Sequence, residues 1–141
     1  MARYGRRSQR NLHNVHPLLV DWAYELVTIM DNSVIDGVRD LTRQRLYVSL
    51  GVSKTMDSKH LIQQDDGYGH ALDLAPYPVD WSDHRRFYIM AGVGLGLAAK
   101  MNIPITWGGR WNPDDDQFKM PDFNDIGHFQ ISSSYSTGVI V

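Results

Sequence analysis

The sequence predicts a single α+β domain. Its 141 residues, 43% of them apolar, suffice for one hydrophobic core and do not require a second. Three segments show the three- and four-residue spacing of amphipathic helices, and three or four short segments are typical of β-strands. These segments do not alternate as they would in a βαβ fold. We therefore expect three or four strands packed with three helices.

The first part of the chain predicts two helices and one strand. Residues 1–15 are polar and basic, and we expect an arm there. Pro17 stands where a helix prefers proline, in its first turn. The apolar stripe of that helix comprises Leu19, Trp22, Leu26 and Ile29. A short β-branched strand over 33–38 and a weaker helix over 41–50 follow.

A long loop and a second strand come next. Residues 51–69 show no sustained periodicity and are rich in Ser, Asp and Gly, and a loop of this length in a small domain is usually functional. The strand over 70–75 places Ala71, Asp73 and Ala75 on one face. A carboxylate between two alanines is costly to bury unless a cation or strong donors neutralise it.

The remaining elements complete the predicted sheet. We expect a long helix over 83–101, a strand over 103–107, an aromatic and acidic loop over 108–124, and a final strand over 128–132. The last nine residues, 133–141, continue a Ser-rich stretch and are predicted to form a tail. The domain itself is expected to span 16–132.

Composition excludes several classes of function. Fourteen basic against 16 acidic residues give a net charge of −2, which argues against a nucleic-acid-binding surface. The absence of cysteine excludes disulfides, thiolate metal sites and a Cys nucleophile. No window is apolar enough to span a bilayer, and the basic N-terminus lacks the apolar stretch of a secretory signal. Any metal must be bound by His and carboxylate groups.

Two segments carry candidate metal ligands. The loop before Asp73 is long enough to bring His60 to that strand, although a surface His and an Asp paired with an Arg would explain the segment equally well. His128 begins the last strand, and Asp125 precedes it by three residues, close enough to approach a water on the same metal. Two His and one Asp leave one tetrahedral position open, as catalytic zinc requires. Strand alternation turns His70 away from Asp73, so we do not expect it to be a ligand.

Other conspicuous residues have simpler explanations. Arg39 at a strand end could hold a substrate carboxylate or an oxyanion, but its spacing favours a salt bridge with Asp36 or Asp40. His13 and His16 are expected to be solvated. The glycines of the long helix fit close helix packing better than a dinucleotide loop. Neither a His-Glu-x-x-His helix nor a Gly-x-Ser-x-Gly elbow occurs in the sequence.

Four motifs occur in a characteristic order: Gly37-Val38-Arg39, Ser58-Lys59-His60, Gly69-His70-Ala71-Leu72-Asp73 and Asp125-Ile126-Gly127-His128. Together they resemble the signatures of the zinc peptidases that include D-alanyl-D-alanine dipeptidases, carboxypeptidases and phage L-alanyl-D-glutamate endopeptidases. Two further segments are similar to phage endolysins in particular, Asp73-Leu74-Ala75-Pro76-Tyr77 and Gly109-Arg110-Trp111-Asn112. One departure is that twelve residues, 61–72, separate His60 from Asp73, where the commonest form of the family has six. The extra segment, Gln63 to Tyr68, would bulge outward as a loop.

The resemblance implies a site and a mechanism. An antiparallel sheet would carry Zn²⁺ in the cleft above it, bound by His60, Asp73 and His128 with water as the fourth ligand. Asp125 would act as the base and then as the acid that protonates the leaving amine. Arg39 would stabilise the oxyanion or hold a peptide carboxylate.

The resemblance also implies a substrate and a setting. The substrate would be the stem peptide of peptidoglycan, cut between L-Ala and D-Glu during phage lysis. The enzyme would act as a monomer, made in the host cytoplasm and released to the cell wall by a holin-like partner. Two alternatives stay open. One is a D-Ala-D-Ala carboxypeptidase or dipeptidase, and the other is a wall-binding module with structural zinc that presents Trp107, Trp111 and Phe118.

Overall fold

A computed structural model describes residues 1–53, 55–111 and 125–132. The helices in this part of the chain are α1 (Arg6–Asn11), α2 (Pro17–Ile29), α3 (Leu41–Ser49) and α4 (His84–Met101). The strands are β1 (Asn32–Asp36), β2 (Ala71–Pro76), β3 (Ile105–Trp107) and β4 (His128–Ile131). All neighbouring strands are antiparallel, in the order β1-β2-β4-β3. The predicted α+β class is confirmed.

The register of the sheet aligns three polar residues across its central strands. Asp73 on β2 lies opposite Asp36 on β1 and opposite His128 on β4. The pairing of β1 with β2 is irregular between Val34 and Asp36, just before this row. Strand pairing alone therefore places a carboxylate of the central strand beside an imidazole of the next strand.

Helices α2 and α4 pack together over the sheet and form the core. Trp22, Phe87, Met90 and Phe129 are fully buried there, and burial of each such side chain contributes roughly 1.5–3 kcal/mol. The Trp22 indole N–H donates a 2.8 Å hydrogen bond to the carbonyl oxygen of Gly94. A Cβ at Gly94 would lie 2.9 Å from the Trp22 ring, so close helix packing requires glycine at this position.

The N-terminal segment differs from the expected polar arm over 1–15. Its middle forms α1, and Tyr4, Leu12 and Val15 are buried in the core. The Tyr4 hydroxyl donates a 2.6 Å hydrogen bond to the Asn32 side chain. These apolar residues are too sparse to give a helical stripe in the sequence, but all three belong to the buried core.

The boundaries of the predicted elements differ from those observed by at most two residues. The first strand ends at Asp36, so Gly37, Val38 and Arg39 follow its end. The third strand begins at Ile105, directly after Pro104, because proline has no backbone N–H to donate to a neighbouring strand. The predicted tail and most of the loop over 108–124 lie outside the described residues. Among the helices that the structure describes, none has the length and apolar character needed to cross a membrane.

Candidate metal centre and active site

His60, Asp73 and His128 meet above the sheet. His60 Nε2 lies 3.3 Å from Asp73 Oδ2, and His128 Nδ1 lies 3.2 Å from Asp73 Oδ1. Ligands about 2.0–2.1 Å from a tetrahedral zinc ion stand about 3.3 Å from one another. One donor atom from each of the three residues lies within 4.8 Å of the others. The structure thus brings together the three ligands expected from the sequence, in a group able to bind a metal.

His60 is positioned by the chain segments on either side of it. Its backbone N–H donates to the Ser58 hydroxyl at 3.2 Å, which accounts for the Ser-x-His motif, and its carbonyl accepts from the Arg39 N–H at 2.9 Å. Its Nδ1 lies 2.7 Å from the carbonyl oxygen of Gly37. A carbonyl only accepts, so Nδ1 carries the proton and Nε2 presents its lone pair to the site. Glycine is required at position 37 because a Cβ there would overlap the carbonyl oxygen of Asn11.

His128 is positioned by the sheet and by a side-chain amide. It lies in register with Asp73, and its Nε2 is 2.9 Å from Gln130 Oε1. With the proton on Nε2, the lone pair of Nδ1 faces Asp73 and the centre of the site. Both imidazoles therefore have their outer nitrogen beside an oxygen acceptor, as metal-ligating histidines usually do. The residues present fit a zinc ion.

The electrostatics of the site favour an ionised Asp73. Burial alone would raise the pKa of this carboxyl, but in the metal-free protein positive charge and N–H donation from the His60 and His128 imidazoles, which a bound cation would replace, hold the pKa well below its usual range. Burial also disfavours the charged form of His128 and by itself would lower its pKa. The hydrogen bond and charge of Asp73 more than offset this effect, so the pKa of His128 is raised. The site therefore attracts positive charge, in the form of protons or of a cation.

Asp125 stands beside the three donors. Its Oδ2 lies 3.8 Å from His128 Nδ1, and its side chain is 40% exposed. The turn is closed by the His128 N–H, which donates to the Asp125 carbonyl at 3.2 Å. Gly108 packs so closely against Asp125 that a Cβ would overlap this carbonyl oxygen. Burial raises the pKa of Asp125, and the charge of Asp73 adds to the rise against the opposing effect of His128. A raised carboxyl pKa suits a group that must accept and return a proton.

Arg39 is buried beside the site and engaged in a salt bridge. Its guanidinium donates to Asp36 Oδ2 from Nε at 3.2 Å and from Nη2 at 2.8 Å, and Nη1 donates to Gln44 at 2.8 Å. The same Nη2 lies 3.9 Å from Asp73 Oδ2. The pairing with Asp36 that spacing favoured is present, whereas Asp40 caps α3 by accepting the Arg43 N–H. Arg39 thus brings a positive charge to the edge of the ligand group.

The long segment between His60 and Asp73 is accommodated as a closed side loop. Ile62 and Gly69 form an antiparallel bridge, and the Gln63 N–H donates to the Tyr68 carbonyl at 2.9 Å. The extra residues are looped out between these points. His60 therefore reaches Asp73 despite the longer spacing.

A second group of metal-capable side chains, His16, Asp66 and His70, was not anticipated. His70 Nε2 lies 2.6 Å from Asp66 Oδ2, and His16 Nε2 lies 3.8 Å from the same oxygen. The expectation that His16 is solvated was wrong, because the residue is buried and its Nδ1 accepts the Leu18 N–H at 3.1 Å as the N-cap of α2. His70 faces this group and not Asp73, in keeping with strand alternation.

The spacing of the donor atoms differs between the two groups. A separation of 2.6 Å is that of a hydrogen bond and is shorter than the roughly 3.3 Å between zinc ligands. Because Nδ1 of His16 accepts the Leu18 N–H, a neutral His16 carries its proton on Nε2, the nitrogen that faces Asp66. The second group is therefore arranged as a hydrogen-bonded cluster, whereas the wider spacing around Asp73 suits a bound metal ion.

Sequence reasoning missed the groups that orient the ligands. The Gly37 carbonyl carries no side-chain signal, but Gln130 stands two residues after His128 and so shares its strand face. Of the aromatic residues suggested for wall binding, Trp107 is tied by its indole N–H to the Ile126 carbonyl at 2.7 Å. Trp111 is 45% exposed, with its ring 5.3 Å from that of His128. Phe118 lies outside the described residues.

Comparisons with known proteins agree with this geometry. The sequence profile of a family described as phage L-alanyl-D-glutamate peptidase matches residues 1–132. The chain is also similar to the crystal structure of the L-Ala D-Glu endopeptidase ChiX of Serratia marcescens, with a TM-score of 0.71 and 30% sequence identity. That similarity covers 93% of this chain and 91% of the Serratia protein. A search of curated proteins gave no significant match.

Proposed function

Since the chain belongs to the phage L-alanyl-D-glutamate peptidase family, we propose that it is a zinc-dependent endopeptidase that cuts peptidoglycan stem peptides between L-Ala and D-Glu. One observation supports the zinc dependence: His60, Asp73 and His128 each bring one donor atom within 4.8 Å of the other two, and each imidazole nitrogen lies 3.2–3.3 Å from an oxygen of Asp73. The outer nitrogens of both imidazoles donate to oxygens, which leaves the inner nitrogens free to bind.

The ligand set has the composition of a catalytic site. Two imidazoles and one carboxylate leave a fourth tetrahedral position for water or substrate. A zinc ion bound there supplies Lewis-acid chemistry, which polarises the scissile carbonyl and makes water more acidic. His60, Asp73 and His128 would hold it from the loop, the central strand and its neighbour, so the sheet fixes the geometry.

Asp125 moves the proton. Its carboxylate lies beside His128 and reaches solvent, so it can take a proton from the attacking water. Its raised pKa favours return of that proton to the nitrogen of the leaving D-Glu amine. The bond formed is carbon to water oxygen, and the bond broken is the amide between L-Ala and D-Glu.

Arg39 provides positive charge at the edge of the site. Its guanidinium is held in place by Asp36 and Gln44, so it needs no reorganisation when negative charge develops on the substrate. It stabilises the oxyanion or holds a carboxylate of the stem peptide.

The setting is phage-induced lysis, in which the enzyme acts as a monomer and a holin-like partner admits it from the host cytoplasm to the wall.

Digestion of purified muropeptides, with products read by mass spectrometry, tests the proposal. We expect fragments that end in L-Ala and fragments that begin with D-Glu, loss of both with a chelator, and recovery with added Zn²⁺. Release of D-Ala or D-Ala-D-Ala would indicate the carboxypeptidase or dipeptidase alternative. Wall binding without any hydrolysis would indicate the binding module.

A further inference from the structure

We infer that Gln130 is a positioning residue for the metal centre: its side-chain oxygen keeps the proton of His128 on Nε2 and so presents Nδ1 to the metal. The inference rests on the proposed zinc chemistry and deepens it. Gln130 Oε1 lies 2.9 Å from His128 Nε2, and Gln130 is only 8% exposed. In a buried setting of this kind, a hydrogen bond fixes ring orientation as well as tautomer.

The sheet gives Gln130 a rigid place from which to act. It stands on β4 between two partners, opposite Ala71 on β2 and opposite Thr106 on β3. His128 and Gln130 are two residues apart, so their side chains share one face of the strand. Backbone pairing on both sides therefore sets the distance between the amide oxygen and the imidazole.

Without this acceptor, His128 would favour the wrong tautomer. Its Nδ1 lies 3.2 Å from Asp73 Oδ1, and a carboxylate is a strong acceptor. With Asp73 as its only partner, the neutral imidazole would place its proton on Nδ1 and direct an N–H toward the metal position. Gln130 opposes this by binding the proton on the other side of the ring.

His60 offers an internal comparison. There the same task falls to a backbone carbonyl, that of Gly37, 2.7 Å from Nδ1. A backbone acceptor cannot be removed by substitution, whereas that of His128 belongs to a side chain. The two imidazoles also bind through different nitrogens, Nε2 in His60 and Nδ1 in His128, and the positions of these acceptors account for the difference.

Zinc affinity in three variants tests the inference. We would measure it by competition with a chromophoric chelator for the wild type, Gln130→Leu, Gln130→Glu and the control Gln64→Leu, which makes the same change at an exposed site. Loss of a group that orients a ligand typically weakens metal binding 10- to 100-fold, and we expect about that loss in Gln130→Leu. Gln130→Glu keeps an acceptor and should bind zinc at least as tightly as the wild type, as should the control.

The outcomes separate this inference from the proposed function. Equal zinc affinity in Gln130→Leu and the wild type would overturn the role of Gln130, whereas failure of the wild type to bind zinc would overturn the proposed function. Should Gln130→Leu fail to fold, the ¹⁵N shifts of His128 in the zinc-loaded wild type decide. We expect zinc on Nδ1 and a proton on Nε2, and zinc on Nε2 would refute the inference.

Discussion

Asp73 and His128 are register partners on neighbouring antiparallel strands, and their side chains meet with Oδ1 and Nδ1 3.2 Å apart. The contact joins residues that are 55 positions apart in the chain, and backbone pairing alone is enough to create it. His60 completes the group from a loop that a side-chain and a backbone hydrogen bond hold in place. Most of the ligand geometry is therefore a property of the sheet.

Replacement of Asp125 by asparagine should abolish most hydrolysis and leave zinc binding intact. The amide keeps the shape of the side chain but cannot accept a proton from water, and loss of a general base typically costs 10²- to 10⁴-fold in kcat. Turnover of muropeptides and zinc affinity should be measured together, with exposed Asp57→Asn as the control. Unchanged turnover in Asp125→Asn would remove Asp125 from the mechanism.

Arg39→Ala should reduce turnover more than zinc binding. The guanidinium brings positive charge within 3.9 Å of Asp73 but does not belong to the ligand set, so its loss leaves the three donors in place. It also leaves Asp36 with the Gly37 N–H and the more distant Arg43, and we expect a stability loss of roughly 1–3 kcal/mol. Arg43→Ala is the matched control, because Arg43 contacts Asp36 at 3.4 Å from a more exposed position. If Arg39→Ala turned over muropeptides at the wild-type rate, Arg39 would have only a structural role, in its salt bridge with Asp36.

His16 should make stability depend on pH. Burial lowers its pKa, the charge of His70 lowers it further, and Asp66 partly opposes both. A histidine whose pKa is lower in the folded than in the unfolded protein contributes its full stabilisation of the fold above the unfolded pKa of about 6.5. This contribution is lost as the pH falls below that unfolded pKa. A proton on Nδ1 would also break the cap with the Leu18 N–H.

His16→Asn isolates this effect, because asparagine caps a helix without titrating. We would measure the free energy of unfolding in urea at pH 7.5 and pH 5.5, in the presence of a chelator. The wild type should lose up to about 1 kcal/mol more than the variant over this interval, the value of a typical cap. An identical pH dependence in both proteins would show that His16 does not titrate in this range.

Two glycines of α4 should respond to alanine in opposite directions. A Cβ at Gly94 would lie 2.9 Å from the Trp22 ring, so Gly94→Ala should destabilise by about 1–3 kcal/mol. A Cβ at Gly96 meets nothing within 4 Å, and Gly96→Ala should stabilise by about 0.5–1 kcal/mol. Thermal unfolding of both variants checks the pair. Equal shifts would contradict the packing of α2 on α4.

The sequence predicted the sheet and the candidate ligand group better than their surroundings. Alternation placed Asp73 and His70 on opposite faces, and ordered motifs singled out His60 and His128, which the structure brings to Asp73, because these signals are local. Burial of Tyr4, Leu12 and Val15 depends on a surface that only the folded sheet provides, and no local period encodes it.

The second cluster and the outer hydrogen bonds were missed for a related reason. His16 and Asp66 are brought together by a parallel bridge between Val15 and Gly69, a long-range contact that leaves no motif. The Gly37 carbonyl is a backbone group whose direction depends on how the loop follows β1. Such partners become visible only in three dimensions.

Anomalous X-ray diffraction at the zinc edge, from crystals grown with Zn²⁺, would show whether His60, Asp73 and His128 bind the metal. We expect one peak about 2.0–2.1 Å from His60 Nε2, an Asp73 oxygen and His128 Nδ1. A peak among His16, Asp66 and His70 in its place, or no peak and three donors that point apart, would contradict this expectation.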